Sequence, residues 1–112
     1  ALAMFKEYPC KRRFALLGDM LELGDLSREA HEEVGREAAE SGLDTLITYG
    51  KQAKRIAVVA AAKGLTTLHA NTYREAADAL LKLMQPGDAL LVKASRGMAL
   101  EKVLELFYKE QP

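Results

Sequence analysis

Apolar residues fall along this chain in two alternating rhythms. Four short blocks, RFALLG (13–18), TLITYG (45–50), TTLHA (66–70) and ALLVKA (89–94), are apolar without strict alternation. Such blocks suit strands buried on both faces, as in a parallel sheet. The stretches after them repeat apolar residues three and four apart, which suits amphipathic helices. The first helix is expected over about 27–41, with Ala30, Val34 and Ala38 on one stripe, Ser27 as N-cap and Gly42 as the stop. The second covers about 52–63 and ends at Gly64. The third starts at TYRE, Thr72 to Glu75, which has the spacing of a capping box, and stops before Pro86-Gly87. The fourth carries Leu100, Val103, Leu104 and Phe107, with Ser95 expected to cap its start.

Strands alternating with helices predict a single α/β Rossmann-like domain over 1–112, with helices on both faces of a mainly parallel sheet. The expected strand order is 3-2-1-4. In that order the first and last strands are neighbours and the connections reverse direction between them. Open α/β sheets bind ligands at this switch point, beyond the carboxyl ends of the strands. The loops that would meet there are GDMLELG (18–24) and KASRG (93–97).

The second loop has the chemistry of an anion site. Lys93 and Arg96 supply charge, Ser95 and helix N–H groups supply donors, and Gly97 permits close backbone approach. The plain alternative is a strand end with solvated cations and a serine cap. In the first loop, Asp19 and Glu22 could hold an ammonium group or position a cation. Alternatively Asp19 caps a turn, and Met20 and Leu23 only fill space. His31, early in the first helix, could face the same crevice or serve as a structural hydrogen-bonding residue. His69, Asn71 and Thr72 read as structural, turn and cap residues. Tyr49 could line a pocket or pack, and the Lys51, Lys54, Arg55 run reads mainly as a solvated face.

Composition narrows the partners. Sixteen basic and sixteen acidic residues give no net charge, so neither nucleic acid nor an anionic membrane is expected. One cysteine allows no internal disulfide, which is compatible with a reducing compartment. No apolar run approaches the roughly 20 residues of a membrane span. The sequence contains no GxxxxGK[ST], GxGxxG or GxSxG motif, and no metal-ligand spacing of cysteine and histidine. No nucleophile is evident and no metal site is expected.

The segments GDMLELG, SREAHEEVGREAAESGLDTLITYGKQA and PGDALLVKASRGMALEKV, taken in order, resemble the C-terminal domain of Mur ligases. The likeness runs from about Arg12 to Leu106. The family pattern at the last strand reads VKGSRG; here Ala94 replaces the glycine. Within the family, the likeness is to the branch that adds D-alanyl-D-alanine to a UDP-N-acetylmuramoyl tripeptide. It implies a cytoplasmic, ATP- and Mg2+-dependent amide-bond ligase of three domains. The N-terminal and central domains, with the nucleotide loop, would lie outside this chain. The chain itself would place the dipeptide, and by itself it would be inactive. The binding residues implied are Asp19, Met20, Glu22, His31, Lys93, Ser95, Arg96 and Gly97. In this picture Lys93, Ser95 and Arg96 take the dipeptide carboxylate, while Asp19 or Glu22, with His31 beside them, orients its amine. The other reading is a stand-alone, receiver-like α/β module, with Asp19 and Lys93 in place of its acidic cluster and lysine. Against it, the third strand ends His69-Ala70-Asn71 and lacks a phospho-accepting aspartate there.

Overall fold

A computed structural model describes residues 2–111 of the chain. It begins with a short helix α1 (Leu2–Phe5), followed by β1 (Arg13–Gly18), α2 (Ser27–Ala39), β2 (Thr45–Tyr49), α3 (Ala53–Ala62), β3 (Thr67–Ala70), α4 (Tyr73–Leu83), β4 (Ala89–Lys93) and α5 (Glu101–Lys109). The four strands form one sheet in the order β3-β2-β1-β4. Every pairing is parallel. β1 lies between β2 and β4, with Leu17 level with Thr48 on one side and Lys93 on the other.

Successive side chains of a strand point to opposite faces, and the core divides accordingly. Ala15, Leu17 and Leu46 pack with Ala38 of α2 and with Ala53, Ile56 and Ala60 of α3. Leu16 and Ile47 pack on the other face with Ala76, Ala77 and Leu80 of α4 and Val103 of α5. Leu16, Leu46 and Ile47 are wholly buried, and each such side chain contributes about 1.5–3 kcal/mol through burial. Both faces of the central strands are covered, which explains why the strand blocks show no strict alternation of apolar and polar residues.

At the amino end of the sheet, Arg12 ties the start of β1 to the turn before β4. Its guanidinium donates to both carboxylate oxygens of Asp88, at 3.3 and 2.7 Å, and to the Leu83 carbonyl at 2.7 Å. Arg12 holds the Asp88 carboxyl below its ordinary pKa, chiefly through this hydrogen bond.

Two expected caps take other roles. Ser27 lies inside α2, after a 3₁₀ turn at Gly24–Leu26, and no side chain caps that helix. Ser95 precedes a separate 3₁₀ turn, Arg96–Met98, and its side chain caps nothing. Ala99 then turns left-handed at φ 49°, and α5 starts only at Glu101. The capping box of α4 is present in a shifted form. The Glu75 N–H donates to Thr72 Oγ1 at 3.0 Å, and the Glu75 carboxylate accepts from the Asn71 N–H at 2.7 Å.

Candidate functional site

β1 and β4 end side by side, and the loops leaving them are bonded to each other. The Ser95 N–H donates to the Asp19 carbonyl at 3.1 Å. The Leu21 N–H donates to Ser95 Oγ at 2.8 Å. A side chain on Gly97 would stand 2.8 Å from the Leu21 methyl, so glycine there lets the two loops touch. The Ala94 methyl lies 2.8 Å from where a Cβ on Gly18 would sit, filling the space between the two strand ends.

His31 anchors the first loop from beneath. It is 0% exposed. Its Nε2 accepts from the Met20 N–H at 3.0 Å, so Nε2 carries the lone pair. Nδ1 therefore carries the proton, which it donates to the Ser27 carbonyl at 2.6 Å. Both ring nitrogens are engaged by partners within the fold.

Asp19 is also turned inward and is 6% exposed. One carboxylate oxygen accepts from the Ala53 N–H at 2.6 Å, at the start of α3. A carboxylate there is favoured by the helix dipole. Its side chain faces a cleft of about 450 Å³ over the ends of β2 and β3, with Tyr49, Lys54, His69 and Asn71. Burial raises the Tyr49 pKa, with smaller contributions from Tyr73 and Asp19.

The other candidates keep their polar groups available. Lys93, Arg96 and Glu22 are exposed. Among the described residues none of the three forms an ion pair. Glu22 is held in the left-handed region at φ 65°, which is uncommon for a residue with a side chain. Ser95 accepts one bond through Oγ and keeps its own O–H to donate. Lys93, Ser95 and Met20 border a hollow of about 270 Å³ whose remaining walls include Leu17, Val34 and Ile56. It is a largely apolar cavity lined also by Lys93, Ser95 and Glu37 of α2.

Thus the structure brings Met20, Lys93 and Ser95 to one hollow, with Arg96 and Gly97 on the adjoining turn. Asp19 faces the neighbouring cleft, and His31 lies below the loop. Two contributors carry no signal in the sequence: the Leu21 N–H, a main-chain group, and Tyr73, which donates to the Met98 carbonyl at 2.8 Å from another element.

The family model described as Mur ligase, glutamate ligase domain, matches residues 1–96. The chain belongs to the Mur ligase family. This Mur ligase domain is 36% identical over 112 residues to the UDP-N-acetylmuramoyl-tripeptide–D-alanyl-D-alanine ligase of Synechocystis, covering 100% of the chain and 25% of that protein. It is 38% identical over 97 residues to the ligase of the same name from Bacillus subtilis, covering 84% of the chain and 21% of the relative. Among solved structures it matches the MurF ligase of Thermotoga maritima in complex with ADP. The TM-score is 0.80 at 30% identity, over 97% of this chain and 24% of that one. The chain therefore spans about a quarter of the length of the curated relatives it matches.

Proposed function

We propose that the chain is the dipeptide-positioning, C-terminal domain of an ATP-dependent ligase that joins D-alanyl-D-alanine to a UDP-N-acetylmuramoyl tripeptide. The observation that carries this reading is the set of uncommitted groups at the β1/β4 switch point. Lys93 and Ser95 border a largely apolar hollow of about 270 Å³ that Glu37 also lines, and Arg96 is on the adjoining turn. A small zwitterion bearing methyl groups suits such a place: its carboxylate meets the cations and the hydroxyl, and its methyls meet Leu17, Val34 and Ile56. Glu22, exposed on the facing loop, is the carboxylate available to the amine. Asp19, His31 and Gly97 shape the loops, and the Met20 N–H is held in place by His31.

In the reaction the resemblance implies, ATP phosphorylates the tripeptide carboxylate. The dipeptide amine then attacks the acyl phosphate, the amide bond forms and phosphate leaves. This domain's part is orientation and electrostatics rather than covalent chemistry. Among the described residues no group of three His, Cys, Asp or Glu side chains is placed to hold a metal, and one oxygen of Asp19 is spent on Ala53. In this reading ATP and its Mg2+ are held mainly by the central domain of the parent protein.

The test is Arg96→Ala in the full-length enzyme. Loss of one charge-assisted hydrogen bond raises the dipeptide KM by roughly tenfold or more, with the KM for ATP within about twofold of wild type. An unchanged dipeptide KM would remove Arg96 from the site and this reading with it.

A further inference from the structure

The turn that carries Arg96 and Gly97 does not support itself. It is a single 3₁₀ turn of three residues, Arg96–Met98, with no side-chain cap. Its internal bonds are two: the Met98 N–H donates to the Ser95 carbonyl and the Ala99 N–H to the Arg96 carbonyl, both at 3.0 Å. The turn leaves through Ala99 at φ 49°, a conformation that a Cβ disfavours. Left alone, such a segment relaxes toward ordinary backbone angles, and the direction in which Arg96 projects changes with it.

The near end of the turn is fixed by the bond from the Ser95 N–H to Asp19 and the bond from Leu21 to Ser95 Oγ. The far end is fixed by Tyr73, whose O–H donates to the Met98 carbonyl at 2.8 Å. Tyr73 is the first residue of α4, directly after the Thr72 cap, so its backbone is set by that cap. Its ring packs on Tyr49 at the end of β2, with centroids 4.9 Å apart and planes inclined at 30°. The ammonium of Lys102, from α5, lies 5.8 Å from the centroid of the Tyr73 ring. Three elements thus immobilise one phenol, and its hydroxyl meets the carbonyl that closes the Arg96 turn.

We propose that Tyr73 is a positioning residue for dipeptide binding. It touches no ligand itself. It holds the Met98 carbonyl, keeps Ala99 in its left-handed conformation, and so sets the direction in which Arg96 leaves the loop. The inference rests on the reading of Arg96 given above.

The experiment is Tyr73→Phe in the full-length ligase, with and without Arg96→Ala. Phenylalanine keeps the ring against Tyr49 and Lys102 and removes the hydroxyl, with its bond to the Met98 carbonyl and its interaction with the Tyr49 side chain. The dipeptide KM is expected to rise about two- to tenfold, the size of one neutral hydrogen bond, with kcat and the KM for ATP within about twofold. In the Arg96→Ala background, Tyr73→Phe produces no further rise, because the effect passes through Arg96. An unchanged dipeptide KM in the single variant overturns the inference. So does an equal rise for both substrates, which marks a general structural defect, and so does a rise that persists undiminished without Arg96. The two proposals fail separately. A silent Arg96→Ala removes the reading of the site, whereas an active Arg96→Ala with a silent Tyr73→Phe removes only the role of Tyr73.

Discussion

At the end of β3, Nδ1 of His69 meets Oγ1 of Thr48 at 2.7 Å. Burial, and then the nearby charge of Lys54, push the His69 pKa below its ordinary 6.5. The unfolded chain therefore takes up a proton at a pH where the folded chain still holds His69 neutral. Proton uptake by the unfolded state favours unfolding. The contribution of His69 is accordingly present above about pH 6.5 and is lost as the pH falls through its lowered folded value. Thermal unfolding midpoints measured between pH 8 and pH 5 should decline toward acid more steeply for the wild type than for His69→Gln. Parallel curves would show that His69 carries none of the slope. The same residue scale shows where sequence reading stops. Lys93, Arg96 and Glu22 could be chosen by type and place, and they are the groups left uncommitted in the fold. Asp19 and His31 share that chemistry, but their partners are the main-chain N–H groups of Ala53 and Met20. Backbone donors have no side-chain signature, and that of Ala53 lies 34 residues from Asp19. No spacing rule distinguishes an engaged carboxylate from a free one in that situation.

The elements themselves were legible, the strands as short apolar blocks and the helices by their 3.6-residue stripes. The four strand blocks and four amphipathic stripes correspond to β1–β4 and α2–α5. Their joints were less so. Leu100, Val103, Leu104 and Phe107 mark the apolar stripe of α5 and say nothing of where it begins, so the intervening 3₁₀ turn and the left-handed Ala99 were not visible. The joint between β2 and α3 depends on one residue. Gly50 has φ +116°, and a Cβ there would stand 2.4 Å from the Asp19 carboxylate oxygen. The substitution Gly50→Ala forces an unfavourable backbone angle and pushes Asp19 away from the Ala53 N–H. Strain of this kind is on the order of 1–3 kcal/mol, and a weakened buried hydrogen bond adds roughly 1 kcal/mol. Denaturant unfolding should show a loss of at least about 2 kcal/mol. A loss below about 0.5 kcal/mol would mean that the junction adapts freely.

For the molecule as a whole, the expected order 3-2-1-4 put β1 beside β4, as the sheet has them, and the proposed site lies where these two strands end. The sequence contains no GxxxxGK[ST] motif, and the chain spans about a quarter of its relatives. The 112-residue chain alone should therefore release no phosphate from ATP above background, with or without dipeptide. Steady turnover by purified material would contradict the division of labour proposed here. The hydrogen bonds from Leu21 to Ser95 and from Ser95 to Asp19 have a consequence for how the proposed site would take a substrate. Because the acidic and basic loops are fastened to one another, they cannot shut on a substrate like two fingers. Their spacing is set during folding, so under the proposed reading the hold on the amine end and the hold on the carboxylate end would be gained or released together.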